Sequence, residues 1–138
     1  MKDIEIAKNF LEEENLCIVA IKAGNIIFKS NEKGIKPMYI MATEMKEDIV
    51  GASIADRVIG KGAAILCKYL GIKEVYSKLI SNNAIDVLGK SGIKYTYDKI
   101  CPYIKNRDRT DICPIEKLAK DVDNGDILLK RIEDFMGK

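Results

Sequence analysis

The sequence predicts an α/β fold built on a mixed sheet, and three observations carry that expectation. The run LCIVAIKAGNIIFKS holds two β-rich stretches around a turn containing Gly24 and Asn25, which reads as an antiparallel hairpin of 16–22 with 26–30. The pattern G-I-K-x-x-Y-x-K then occurs twice, in GIKEVYSKLI from Gly71 and in GIKYTYDKIC from Gly92. In each copy glycine suits the left-handed residue that ends a helix, and the β-favouring residues after it suit a strand. Two consecutive helix-strand units build parallel strands covered by helices. Finally, 138 residues with 47% hydrophobic and 32% charged side chains suit one globular domain over 1–138, able to bury a core without metals or disulfides as staples.

The elements follow in chain order. Asp3 is placed to cap a first helix whose Ile4, Ala7 and Leu11 keep the helical period. After the hairpin and the loop SNEKG, Pro37 suits the first turn of a short helix through MYIMATEM. GASIAD reads as a brief extended segment ending at Asp56, which is expected to cap a helix RVIGKGAAILCKYL with Ile59, Ala63, Leu66 and Leu70 in one stripe. Ser81 caps the helix NNAIDVLGK between the two repeats. A C-terminal helical extension over about 114–136 holds a helix from Pro114 and another through ILLKRIEDFM. The Leu128, Ile132 and Phe135 stripe of the last helix docks on the domain or pairs with a second copy in a homodimer, and docking is the expected use.

Composition excludes several function classes. Lys plus Arg is 23 against 21 for Asp plus Glu, a formal charge of +2 with both signs interspersed, so no basic field is offered to nucleic acid. Tyr95, Tyr97 and Tyr103 beside lysines read more simply as strand alternation than as a base-stacking face. No apolar run reaches the roughly 20 residues a spanning helix needs, and MKDIEIAKNFLEEE lacks the layout of a signal peptide. A cytoplasmic protein with neither a nucleic-acid nor a membrane partner is expected. Histidine is absent, which removes serine triads, Cys-His dyads and histidine-bound catalytic zinc.

Four cysteines, Cys17, Cys67, Cys101 and Cys113, show no CxxC spacing and are expected to be free thiols. Cys17 and Cys67 lie in apolar runs and read as small buried hydrophobes. A Cys101–Cys113 disulfide is disfavoured by the compartment, and a metal held by these two and loop carboxylates by the wide spacing. LGKSG from Leu88 fails as a phosphate loop, because Ala84 stands where the first glycine is needed and a helix ends there instead of starting.

Two stretches carry the candidate site. In Gly60-Lys61-Gly62 each glycine costs about 1 kcal/mol within a helix, so something needs the backbone close: either the packing of this helix or a ligand at its N-terminus, where amides and dipole favour anions. Lys61 then adds a positive charge and Asp56 a cap or polar contact. In NRDRTDICPIE, Pro114 fits the first helical position, which makes Cys113 the N-cap and puts Glu116 at the capping-box position. A thiol there feels the helix dipole and nearby Lys105, Arg107 and Arg109, which favour the thiolate, whereas Asp108, Asp111 and Glu116 oppose it. Cys113 is a candidate nucleophile or redox thiol, or simply a cap.

With GASIADRVIGKGAA, KEVYSKLI, GIKYTYDK and NRDRTDICPIE in this order, the chain up to about Glu116 resembles an uncharacterised prokaryotic family of unknown function assigned a cytidine-deaminase-like fold. That resemblance implies a three-layer α/β/α sandwich with a mixed sheet. It also implies that Asp56, Gly60, Lys61, Asn106, Arg107, Asp108, Cys113, Pro114 and Glu116 stand at the family's shared positions. A zinc deaminase needs H-x-E at one helix start and P-C-x-x-C at the next; here those places hold Gly60-Lys61-Gly62 and ISNNAID. Zinc-dependent deamination is therefore not expected, and neither is any cofactor. What the resemblance leaves is a pocket between two helix N-termini, lined by Lys61, Ser81 and Asn82 or Asn83, with Asn106, Arg107 and Asp108 as further binding groups. The expected function is binding of a small nucleotide-like or otherwise anionic molecule, or metal-independent catalysis on it with Cys113. The alternative is a non-catalytic regulatory or partner-binding module that keeps only the scaffold.

Overall fold

A computed structural model describes residues 1–106 and 108–137. The chain runs α1 (Asp3–Glu13), β1 (Ile18–Lys22), β2 (Asn25–Ser30), α2 (Lys36–Glu44), α3 (Lys46–Ile49), β3 (Ser53–Ile59), α4 (Lys61–Leu70), β4 (Glu74–Ser81), α5 (Asn82–Lys90), β5 (Lys94–Cys101), α6 (Pro114–Ala119) and α7 (Gly125–Phe135). The strands form one sheet in the order β2-β1-β3-β4-β5. β1 pairs antiparallel with β2 and β3, whereas β3-β4 and β4-β5 are parallel, so the hairpin and the twin helix-strand units build one mixed sheet. Gly71 and Gly92, the repeat glycines, have φ +70 and +71 and turn the chain out of α4 and α5.

Helices cover both faces. On one, Ile4, Ala7 and Leu11 of α1 pack on Val19, Ile21, Ala55 and Tyr76. On the other, a larger core joins Ile18, Ala20, Ile54 and Val75 of the sheet to α2, α4 and α5. The tail helices extend that core through Ala119, Val122, Leu128 and Ile132, while Phe135 stays exposed. The result is the expected three-layer α/β/α sandwich. Among the described residues no helix is long and apolar enough to cross a membrane.

Several local expectations are corrected. Asp3 is not the cap of α1; Lys2 holds that position, and the Asp3 carboxylate reaches across to accept the N–H groups of Ala23 and Gly24 at 3.0 and 2.9 Å. The hairpin turn is Ala23-Gly24, with Asn25 already in β2 opposite Lys22. Asp56 is not a helix cap. It lies in β3, paired with Ile18 and Ser77, and the strand runs on to Ile59 because Val58 and Ile59 continue the ladder against Leu79 and Ile80 of β4. Gly60 caps α4 instead. Cys67 is fully buried as expected, but Cys17 is only partly so, its Sγ donating to the Asn31 carbonyl at 3.3 Å.

A candidate anion cleft at the ends of the parallel strands

β3 and β4 are parallel neighbours and each leads directly into a helix, so the N-termini of α4 and α5 lie together at the carboxyl ends of these strands. Crevices beyond the carboxyl ends of parallel strands are where open α/β sheets bind ligands. At α5, Ser81 caps as its sequence foretells: its Oγ accepts the Ala84 N–H at 3.3 Å and donates to Asn83 Oδ1. At α4 the cap is Gly60, which has no side chain to offer. The missing acceptor comes from elsewhere. Glu116, on α6, inserts its carboxyl so that Oε1 accepts the Lys61 N–H at 2.7 Å. Glu116 thus leaves the capping-box role that its spacing from Cys113 suggests, because α4 presents a more open helix end to it.

The glycines make this possible. A Cβ on Gly60 would stand 1.6 Å from Glu116 Oε1, and one on Gly62 would stand 2.7 Å from Ile115 Cγ2. Both glycines therefore serve the close approach of α6 to α4. The anion that the α4 N-terminus attracts is one of the protein's own carboxylates.

Glu116 is 7% exposed, and its second oxygen, Oε2, has no hydrogen-bond partner among the described residues. The Asn83 side chain lies close enough to the carboxyl to favour its charged form. Burial raises the Glu116 pKa above the usual glutamate range, against the opposing pull of the Lys61 N–H, Asn83 and the Lys61 charge. The Cys101 thiol at the end of β5 donates to the Ile80 carbonyl at 3.5 Å, and its pKa is pushed up by burial and by the Glu116 charge.

In front of this carboxyl opens a cleft of about 500 Å³ lined by Lys61, Asn83, Tyr103, Ile112, Glu116, Lys117 and Lys120. Lys61 Nζ donates to the Lys120 carbonyl at 2.9 Å, and Lys117 pairs with Asp111 at 2.5 Å. One carboxyl, one amide and three ammonium groups do not suit a divalent cation. Among the described residues no three His, Cys, Asp or Glu side chains are grouped to hold one.

The other residues singled out in the sequence lie as follows. Cys113 is the N-cap of α6, partly buried, its N–H bonded to the Ile104 carbonyl at 2.9 Å; it is not part of the cleft lining. Asn106 ties its own loop, with Oδ1 accepting the Thr110 N–H at 3.0 Å. Asp108 is exposed in that loop, and Arg107 lies outside the described residues. Asn82 is exposed beside the cleft, and it is Asn83 that lines it. Asp56 sits inside β3, partly exposed, with its carboxyl facing the buried Cys67 thiol. Burial raises its pKa to about 7 against bonds from the Arg57 and Val58 N–H groups.

The family model described as TM1506, Domain of unknown function (DUF1893), matches residues 6–136. The chain belongs to the DUF1893 family. This DUF1893 member is similar to a solved DUF1893 family protein, TM1506 from Thermotoga maritima, with 23% identity over 98% of this chain and 91% of that one at a TM-score of 0.87. Fainter likenesses run to two deaminases. One is a diaminohydroxyphosphoribosylaminopyrimidine deaminase/5-amino-6-(5-phosphoribosylamino)uracil reductase from Thermotoga maritima, 19% identical over 70% of this chain and 34% of that one, TM-score 0.49. The other is the dCMP deaminase of cyanophage S-TIM5, 16% identical over 72% of this chain and 94% of that one, TM-score 0.49. No curated protein matches the DUF1893 member.

Proposed function

We propose that this protein binds a small anionic molecule in the cleft between the N-termini of α4 and α5 and the start of α6. The observation that carries the reading is the cleft lining, three lysine ammonium groups to one carboxyl, in whose wall Glu116 Oε2 is buried without a partner among the described residues. Buried polar atoms are nearly always paired, and leaving one unpaired costs about 1–3 kcal/mol. The charge of the ligand is argued from the lining, where Lys61, Lys117 and Lys120 supply the ammonium groups and Tyr103 and Ile112 an apolar wall. A cleft of about 500 Å³ falls in the size range of small-molecule sites. The Cys113 thiol, one turn of α6 ahead of Glu116, takes no part in this reading.

The test is calorimetric titration with sulfate and with nucleoside 5′-monophosphates. Binding is expected, weakened about tenfold when Lys61 and Lys120 are both changed to alanine. Failure of every such anion to bind at millimolar concentration would remove the proposal.

A further inference from the structure

Resting on the anion site proposed above, the geometry points to a second component of the ligand: we infer that the cleft takes up its anion together with one proton, which is bound by Oε2 of Glu116. Four elements surround that oxygen. From α4 the Lys61 N–H reaches only Oε1, at 2.7 Å, and the Lys61 ammonium is turned to the Lys120 carbonyl. From α5 come Asn83 and Ser81, neither of which carries charge, and Ser81 Oγ is spent on Asn83 and the Ala84 N–H. From β5 comes the Cys101 thiol, whose hydrogen goes to the Ile80 carbonyl. On α6 itself, Lys117 is paired with Asp111, and Glu116 is in no ion pair among the described residues. Among the described residues Oε2 is thus a buried oxygen with no ion pair and no well-formed hydrogen bond, the Asn83 side chain and the more distant Lys61 charge being what favours its ionised form.

A second negative charge brought into the same cleft acts on that carboxylate at short range, in surroundings where screening by water is reduced. Two anions in one site raise the affinity of one of them for a proton. Burial already works in the same direction on this carboxyl. In the bound state one solvent proton is joined to Oε2 as an O–H, and the buffer that gave it up is left as its conjugate base. The ligand itself need not touch Oε2, which is closed to solvent; the coupling runs through the field. Because uptake of a proton accompanies binding, affinity falls as pH rises, by at most tenfold per pH unit for one proton.

Sulfate is the probe, since it does not titrate near neutrality. Wild-type protein is titrated with it at one pH in two buffers of different ionisation enthalpy, and then across a pH series. The expected result is a buffer-dependent heat corresponding to uptake of a fraction of a proton, up to one, and affinity declining toward alkaline pH. Glu116→Gln, whose amide oxygen still accepts the Lys61 N–H, is expected to bind sulfate with no proton uptake and a flattened pH profile. Asp56→Asn, which removes a group titrating at about 7 outside the cleft lining, is expected to leave the uptake in place. Sulfate binding with equal heats in both buffers overturns the proton coupling while the anion site stands. Uptake that persists in Glu116→Gln overturns the assignment to Oε2, and failure of sulfate and the nucleoside 5′-monophosphates alike to bind removes the anion site and the coupling together. The wild-type buffer comparison decides the coupling even if a variant does not fold.

Discussion

Glu116 Oε1 accepts the backbone N–H of Lys61 at 2.7 Å, a bond that spans fifty-five positions of sequence and fastens α6 to the first turn of α4. It supplies the capping oxygen that Gly60 lacks, and Gly60 is glycine because that oxygen and Ile104 Cγ1 leave no room for a Cβ.

Gly60→Ala is therefore expected to expel the Glu116 carboxyl and to destabilise the fold by about 1–3 kcal/mol, the cost of crowding plus a lost charged hydrogen bond. Backbone strain is not the cause, since φ of −100 is open to alanine. The origin is separable by a double-mutant cycle in urea. In a Glu116→Ala background the alanine at position 60 no longer meets the carboxyl, so its cost should drop by about 1 kcal/mol or more. Strictly additive effects would mean that the contact with Glu116 does not set the identity of residue 60.

Cys113→Ser is expected to leave sulfate affinity unchanged, because the residue caps α6 outside the cleft lining. Lys61→Ala alone should weaken sulfate severalfold, and it should also free the Lys120 carbonyl that Nζ now holds. Calorimetry on the two variants side by side checks this. A loss with Cys113→Ser matching that of Lys61→Ala would place the thiol in the site.

Much of this architecture is legible in the chain because its signals are local. A two-residue turn between β-branched runs and a glycine ahead of each repeated strand are read within a few residues, and they yield the hairpin and the parallel pair. The start of α4 is misread because Ile59, Ala63, Leu66 and Leu70 are spaced for a helix, while Val58 and Ile59 answer to partners on β4 that lie twenty-one positions further on. Glu116 is harder still. Three residues after Cys113 it has the spacing of a local cap, and nothing near it names Lys61 as its partner. The paired glycines at 60 and 62 announce that something comes close; which element comes is a property of the tertiary fold.

The Asp3 carboxylate holds the hairpin turn through the N–H groups of Ala23 and Gly24. Asp3→Ala should cost about 1–2 kcal/mol, with charge-assisted bonds to two amides lost at once. Ala23 sits at φ +51, where a Cβ is unfavourable. Ala23→Asn, better suited to the first position of such a turn, should recover about 1 kcal/mol. Urea midpoints at constant slope measure both, and a stabilised Asp3→Ala protein would remove the carboxylate from any role in the turn.

Asp56 provides the clearest pH signature of stability. Burial in β3 raises its carboxyl to about 7 in the folded chain, against about 3.9 in an unfolded one. Between those values the folded state binds the extra proton, so the contribution of Asp56 to stability is most favourable at low pH and declines as pH rises toward 7, flattening beyond it. The partial exposure of the residue limits the span to roughly 2–4 kcal/mol. Asp56→Asn keeps an oxygen for the Arg57 and Val58 N–H groups and removes the charge, so the variant should gain on the wild type as pH rises and lead it at pH above about 7. Denaturation midpoints for the two proteins from acid to mildly alkaline pH read this directly. Parallel curves across that window would show that the Asp56 charge is well solvated in the folded chain, and would sever the link between its place in the central strand and its acidity.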